Sequence, residues 1–189
     1  MKTTGIILAG GESSRMNFID KGLIEISGKP CVFHVIEALK PTVDSIIIIS
    51  NNTDYEQFGY DVYPDYYLKK GPMGGIFSGL SRSTTETNLF VACDMPMLSS
   101  EVFSKILKQS DSAEVIVPII NNRYQPLCAI YKKSILNKVN QSILADKLKL
   151  RFLIDESDSL LLDDSLFNEE LFFNVNTPKE LEHIKLSAS

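Results

Sequence analysis

Thr4-Gly5-Ile6-Ile7-Leu8-Ala9-Gly10-Gly11-Glu12-Ser13-Ser14-Arg15-Met16-Asn17-Phe18-Ile19-Asp20-Lys21 is the stretch around which the chain is organised. Gly5 to Leu8 is a short apolar run of the kind that forms a buried strand. It breaks at Ala9-Gly10-Gly11, where the absence of a Cβ lets backbone N–H groups approach phosphate oxygens. Arg15 and Lys21 follow as lone cations, placed to neutralise negative charge gathered at that loop. A strand, a glycine loop and two basic residues in this order point to nucleotide phosphates; by itself, the glycine pair would be only a turn.

In a chain that is acidic overall, the positive charge that would meet a polyphosphate must be local, as Arg15 and Lys21 are. The formal net charge is −5, with 24 acidic against 19 basic residues, so no basic face is on offer to nucleic acid or an anionic membrane. A length of 189 residues suits one α/β domain covering residues 1–189. No run of 18 apolar residues exists to span a bilayer. The apolar run after Lys2 is too short for a signal-peptide core. Cys31, Cys93 and Cys128 are scattered in apolar contexts, which predicts buried free thiols in a reducing cytosol. His34 and His183 lie far apart, with no cysteine at zinc-ligand spacing.

Outward from the first loop, Leu23 to Ile26 reads as a short strand. Pro30 fits the first turn of a helix whose apolar face is Val32, Phe33, Val35, Ile36 and Leu39. Ser45 to Ser50, with four consecutive isoleucines, reads as a fully buried strand. It runs into Asn51-Asn52, polar residues at the carboxyl end where open α/β sheets collect ligands. Asp61 to Tyr63 is a third strand, followed by Pro64-Asp65. Lys70-Gly71-Pro72 opens a helix to about Ser83, whose free N–H groups and positive dipole end favour anions.

Leu89 to Ala92 is a fourth strand ending at Asp94, an aspartate costly to bury unless it is paired or bound to metal. Ser99 or Ser100 caps a helix to about Gln109. Glu114–Ile120 and Leu127–Tyr131 then form a strand pair, turning at Asn121-Asn122 and enclosing Arg123-Tyr124-Gln125-Pro126. Lys133 to Leu150 reads as mostly helical. The acidic run from Asp155 to Asp164 has no metal-loop spacing and reads as solvated charge. Thr177-Pro178 predicts the cap of a last helix.

Five motifs in order, Leu8-Ala9-Gly10-Gly11 with Arg15-Met16, Asp20-Lys21-Gly22-Leu23, Gly71-Pro72-Met73-Gly74-Gly75-Ile76, Asp94-Met95-Pro96 and Asn174-Val175-Asn176-Thr177-Pro178, resemble those of the molybdenum cofactor guanylyltransferases. Asn17 stands where that family usually has glycine, and Met73-Gly74 where it has Leu-Ala. The resemblance implies an α/β, three-layer Rossmann-like nucleotidyltransferase fold with a mostly parallel central sheet. It implies transfer of GMP from GTP to Mo-molybdopterin with release of pyrophosphate. It also implies nucleotide contacts from Leu8, Ala9, Gly10, Gly11, Lys21, Asn51 (preferred to Asn52), Asp65 and Asp94. Asp94 would be the Mg²⁺ ligand, and Arg15, Lys21 and Asp94 the catalytic set. Arg123 and Gln125 would face the second substrate, and Asn174 and Asn176 would be further substrate contacts, Asn176 reaching the metal or the incoming phosphate. Cofactor-pathway proteins and molybdoenzymes are implied as partners.

Two rivals share the chemistry, a cytidylyltransferase for the same pterin and a nucleotidyltransferase of sugar phosphates. A non-catalytic nucleotide-binding regulator would not need Arg15, Lys21 and Asp94 together. A dinucleotide-dependent dehydrogenase is excluded, because no Gly-x-Gly-x-x-Gly follows the first strand.

Overall fold

The computed structural model describes residues 2–10 and 20–175. In chain order the elements are β1 (Thr3–Leu8), β2 (Glu25–Ile26), β3 (Lys29–Pro30), α1 (Cys31–Leu39), β4 (Ser45–Ile49), β5 (Asp61–Tyr63), α2 (Gly71–Arg82), β6 (Thr87–Ala92), α3 (Ser100–Leu107), β7 (Val115–Ile120), β8 (Arg123–Tyr124), β9 (Cys128–Lys132), α4 (Leu136–Leu144), α5 (Leu150–Asp155) and β10 (Ser159–Leu162). The main sheet has the order β10-β7-β9-β6-β1-β4-β5, with β8 added beside β7. All neighbours on this path are parallel except at β9, which runs against both β6 and β7.

Strand residues point alternately to the two faces, so one apolar run serves two cores. Ile7, Ile48, Leu89 and Val91 face α1 and α3, meeting Val32, Val35, Ile36, Leu39, Val102, Phe103 and Ile106. Ile6, Ile47, Ile49 and Phe90 face the other way, meeting Met73, Ile76 and Leu80 of α2 and the apolar sides of α4 and α5. This accounts for the absence of a polar face in the four isoleucines of β4: both sides of that strand are covered. The result is a three-layer Rossmann-like architecture with a mostly parallel sheet, as the sequence predicts. A helix that returns between parallel strands starts at their carboxyl ends, which brings the N-terminus of α2 to the same edge as the loops after β1, β4, β5 and β6.

Several expectations need adjusting. Residues 21–23 form a 3₁₀ turn, leaving only Glu25–Ile26 as strand, paired antiparallel with β3. Pro30 is the residue before α1, with extended ψ of 145°, and the helix begins at Cys31. The segment expected as mostly one helix over 133–150 is instead a 3₁₀ turn followed by two helices, α4 and α5, parted near Asp146 at φ 54°. The mixed segment that follows contributes β10, which adds to the sheet edge parallel to β7. Ser99 precedes α3 but makes no side-chain cap bond. Among the described residues, no helix is long and apolar enough to cross a membrane.

Candidate active site

Strand register sets the geometry of the site. Leu8 pairs with Ile49 on one side and Ala92 on the other, and Ile49 pairs with Tyr63. The ladder continues one step further, through Ala9 N–H to Ile49 O, Ser50 N–H to Tyr63 O and Cys93 N–H to Leu8 O. Two residues beyond each strand end therefore stand Asp65, Asn51, Gly10 and Asp94, abreast on four neighbouring strands. At the usual strand spacing the row measures about 14 Å. The Asp65 carboxylate leans back along it: a Cβ on Gly10 would lie 3.9 Å from Asp65 Oδ2.

One end of the row is electrostatically paired. Lys21 Nζ stands 3.5 Å from Asp94 Oδ2, with the two side chains 24% and 14% exposed. Lys21 is carried by the 3₁₀ turn 21–23, and Asp20 caps that turn by accepting from Gly22 N–H. The Asp20 carboxylate also accepts from the Tyr55 hydroxyl at 2.5 Å and from Asn52 Nδ2 at 3.1 Å. Behind Asp94, Val175 N–H donates to its backbone carbonyl at 2.9 Å, holding the Asn174-Val175 segment against the site. Asn174 Oδ1 is buried and accepts no hydrogen bond from the described residues.

At the other end, Asp65 N–H donates to Asn51 Oδ1 at 3.0 Å. Burial raises the Asp65 carboxyl above the usual aspartate value, and the Ser78 hydroxyl partly offsets the rise. Asn52 Oδ1 accepts from Asp54 N–H, capping the 3₁₀ segment 53–58. The two asparagines are therefore placed differently: Asn51 is exposed on the row, while Asn52 is bonded into the scaffold beneath. The N-terminus of α2 has no side-chain cap. Lys70, just before it, is paired with Asp146 at 2.8 Å.

Beyond Asp94 the edge continues into the β7–β8 hairpin. Its turn is Asn121-Asn122, at φ 51° and 58°, values that asparagine tolerates better than most residues. Ala92 N–H donates to Leu127 O, which brings the segment after β8 beside the end of β6. Arg123 is exposed there, and Gln125 is tied by its N–H to Pro118 O.

The structure thus gathers Leu8, Ala9, Gly10, Lys21, Asn51, Asp65, Asp94 and Asn174 at one edge, with Arg123 and Gln125 on its flank. Gly11, Arg15 and Asn176 lie outside the described residues, as do Thr177 and Pro178. His34 is occupied elsewhere, its Nε2–H donating to Ile26 O. Motif reading assigned no role to Asp20, Tyr55, Asn52 or Ser78, whose contacts join residues far apart in sequence; only the position of Asp20, directly before Lys21, hinted at one.

No group of three His, Cys, Asp or Glu able to hold a metal occurs among the described residues. A cation beside Asp94 would take one carboxylate from the chain and its other ligands from substrate oxygens and water, which is the ordinary manner of Mg²⁺. That donor set fits. All three cysteines are free and buried.

The family model for the MobA-like NTP transferase domain matches residues 5–160. A Flavobacterium johnsoniae protein named as a probable molybdenum cofactor guanylyltransferase is 35% identical over 187 residues, covering 98% of each chain. A Vibrio cholerae molybdenum cofactor guanylyltransferase is 35% identical, covering 95% of this chain and 89% of that protein. The crystal structure of molybdopterin-guanine dinucleotide biosynthesis protein A from Archaeoglobus fulgidus superposes with a TM-score of 0.82, at 20% identity and 98% coverage of both chains, a likeness of fold. The chain belongs to the MobA-like NTP transferase family and is a nucleotidyltransferase.

Proposed function

We propose that this chain transfers GMP from GTP to Mo-molybdopterin, giving the molybdopterin guanine dinucleotide cofactor and pyrophosphate. The observation that carries the reading is the row Asp65, Asn51, Gly10 and Asp94 with Lys21 against Asp94, in a chain whose relatives are named for this guanylyl transfer. The nucleotide lies along the row. Gly10 and Gly11 lend backbone N–H groups to its phosphates, and Asn51 and Asp65 hold it at the far end. Arg123, Gln125, Asn174 and Asn176 face the pterin.

The acceptor is the terminal phosphate of the pterin. Its oxygen forms a bond to the α-phosphorus of GTP, the α–β bridging bond breaks, and that electron pair leaves on pyrophosphate. The nucleophile is already an anion, so the chain has no proton to remove; what it must supply is alignment and charge neutralisation. Lys21 and Arg15 offset negative charge on the triphosphate and on the departing pyrophosphate. Asp94 would hold Mg²⁺, which when bound neutralises phosphate charge and orients the leaving group. Residues 1–189 act as one catalytic domain in the cytoplasm, supplied by other proteins of the cofactor pathway and serving molybdoenzymes.

The test is magnesium-dependent pyrophosphate release with molybdopterin acceptor, comparing GTP with CTP, ATP and UTP, and repeated with Asp94→Ala and Lys21→Ala. Turnover selective for GTP, with each variant slower by roughly 10²–10³, is the expected result. Selectivity for CTP would move the function to cytidylyl transfer. Nucleotide binding without pyrophosphate release would leave a regulator in place of an enzyme.

A further inference from the structure

Asp20 stands directly before Lys21, and its carboxylate is the meeting point of three donors. Oδ1 accepts from Gly22 N–H at 3.1 Å and from the Tyr55 hydroxyl at 2.5 Å, while Oδ2 accepts from Asn52 Nδ2 at 3.1 Å. Tyr55 is completely buried, in the segment that follows β4. Burial, with the neighbouring Cys93 and Asp20, raises its hydroxyl far above the usual tyrosine value, so it remains a donor. Gly22 makes this approach possible: a Cβ there would lie 2.2 Å from Tyr55 Oη and 3.0 Å from Cys93 Sγ.

A hydrogen bond to an ionised group is stronger than one between neutral partners and tighter in geometry. Fixed from below by Tyr55 and Asn52, Asp20 fixes the turn, and the turn sets where the Lys21 stem starts on its way to Asp94 at 3.5 Å. The same segment after β4 presents Asn51, so one scaffold serves both Lys21 at the Asp94 end and Asn51 within the row.

We infer that Tyr55 and Asp20 are positioning residues, which act on nucleotidyl transfer by seating Lys21 and touch no substrate themselves. This rests on the role given to Lys21 above. Tyr55→Phe removes only the hydroxyl, and should lower kcat about ten- to a hundred-fold, the range for losing a hydrogen bond to a charged group. KM for GTP should change less than kcat, because Lys21 is displaced and not removed while the other nucleotide contacts stay in place.

The deciding measurement is a double-mutant cycle on kcat for pyrophosphate release, with Lys21→Ala, Tyr55→Phe and the pair. If Tyr55 acts through Lys21, the second substitution costs almost nothing once Lys21 is gone. Equal losses in both backgrounds, or no loss from Tyr55→Phe alone, would overturn the inference while leaving the Lys21 role intact. Full activity of Lys21→Ala would overturn the role and the inference together. Asp20→Asn, which keeps size and an acceptor, repeats the cycle should Tyr55→Phe fail to fold, with the same two outcomes.

Discussion

Asp94→Asn should change nucleotide affinity in opposite directions with and without magnesium. With no metal, the Asp94 carboxylate repels a triphosphate and also occupies Lys21, whose Nζ is 3.5 Å away. Coulomb's law at that distance gives about 1 kcal/mol at the dielectric of water and about 5 kcal/mol at an effective constant of 20. Both side chains retain some exposure, at 24% and 14%, and Lys21 has further partners, so the lower part of that range applies. Taking about 1–2 kcal/mol, the variant should bind GTP about five- to thirty-fold more tightly in EDTA. In excess magnesium the order should reverse, with the variant about ten-fold weaker or worse, because the carboxylate proposed to hold the metal is gone. Two calorimetric titrations of each protein suffice. A shift of the same sign in both buffers would refute the reasoning: tighter binding in both would mean that the carboxylate does not hold the metal, and weaker binding in both that it does not repel the phosphates.

Gly79→Ala should lower the thermal midpoint although alanine favours helix, because its Cβ would lie 2.7 Å from Phe90 Cε1 and 2.8 Å from Ile6 Cγ2, both in the sheet. Overpacking of about 1–3 kcal/mol then outweighs a propensity gain of about 1 kcal/mol, and a net loss lowers Tm by about 2–4 °C per kcal/mol; a rise would show that the sheet gives way. Burial raises the Asp65 carboxyl, with Ser78 opposing, so the folded chain holds that proton to higher pH than the unfolded chain. Its cost to stability is absent below the ordinary value of about 3.9 and grows as pH rises past it. The Tm gain of Asp65→Asn should therefore be larger at about neutral pH than at about pH 3, and an equal gain at both would contradict this. The Cys31 thiol is pushed up to about 12 by burial and then by Asp94, and burial also raises Cys93 and Cys128. Iodoacetamide should leave the native chain unmodified by mass spectrometry and label all three cysteines in denaturant.

Elements built on continuous apolar runs were legible from sequence: Ile46 to Ile49 and Leu89 to Ala92 have no polar face and could only be covered on both sides. Asp94 was legible too, since a carboxylate at the end of such a run demands a partner, and the structure supplies Lys21. The break between α4 and α5 was hidden because it uses Asp146 at φ 54°, in place of a glycine or proline. The return of β9 against β7 was legible from the turn at Asn121-Asn122, but its insertion between β7 and β6, antiparallel to both, was hidden, because alternation of side chains is the same in parallel and antiparallel strands. Asp20, Asn52 and Tyr55 escaped because their bonds depend on how β1 and β4 lie side by side, which no local pattern encodes.

The reversal at β9 has a further consequence. A parallel sheet normally sends its chain away from the working edge after every strand, through a helix, and back again. Here the chain turns at Asn121-Asn122 and stays at that edge until β9 carries it off. Whatever second molecule arrives on this flank meets one short, contiguous cassette, joined to the sheet through the two-residue strand β8 and the segment before β9. Such a cassette can lengthen, shorten or change composition while the four-strand row beside it keeps its spacing. The architecture thus separates the freedom to change acceptors from the rigidity needed to grip a nucleotide.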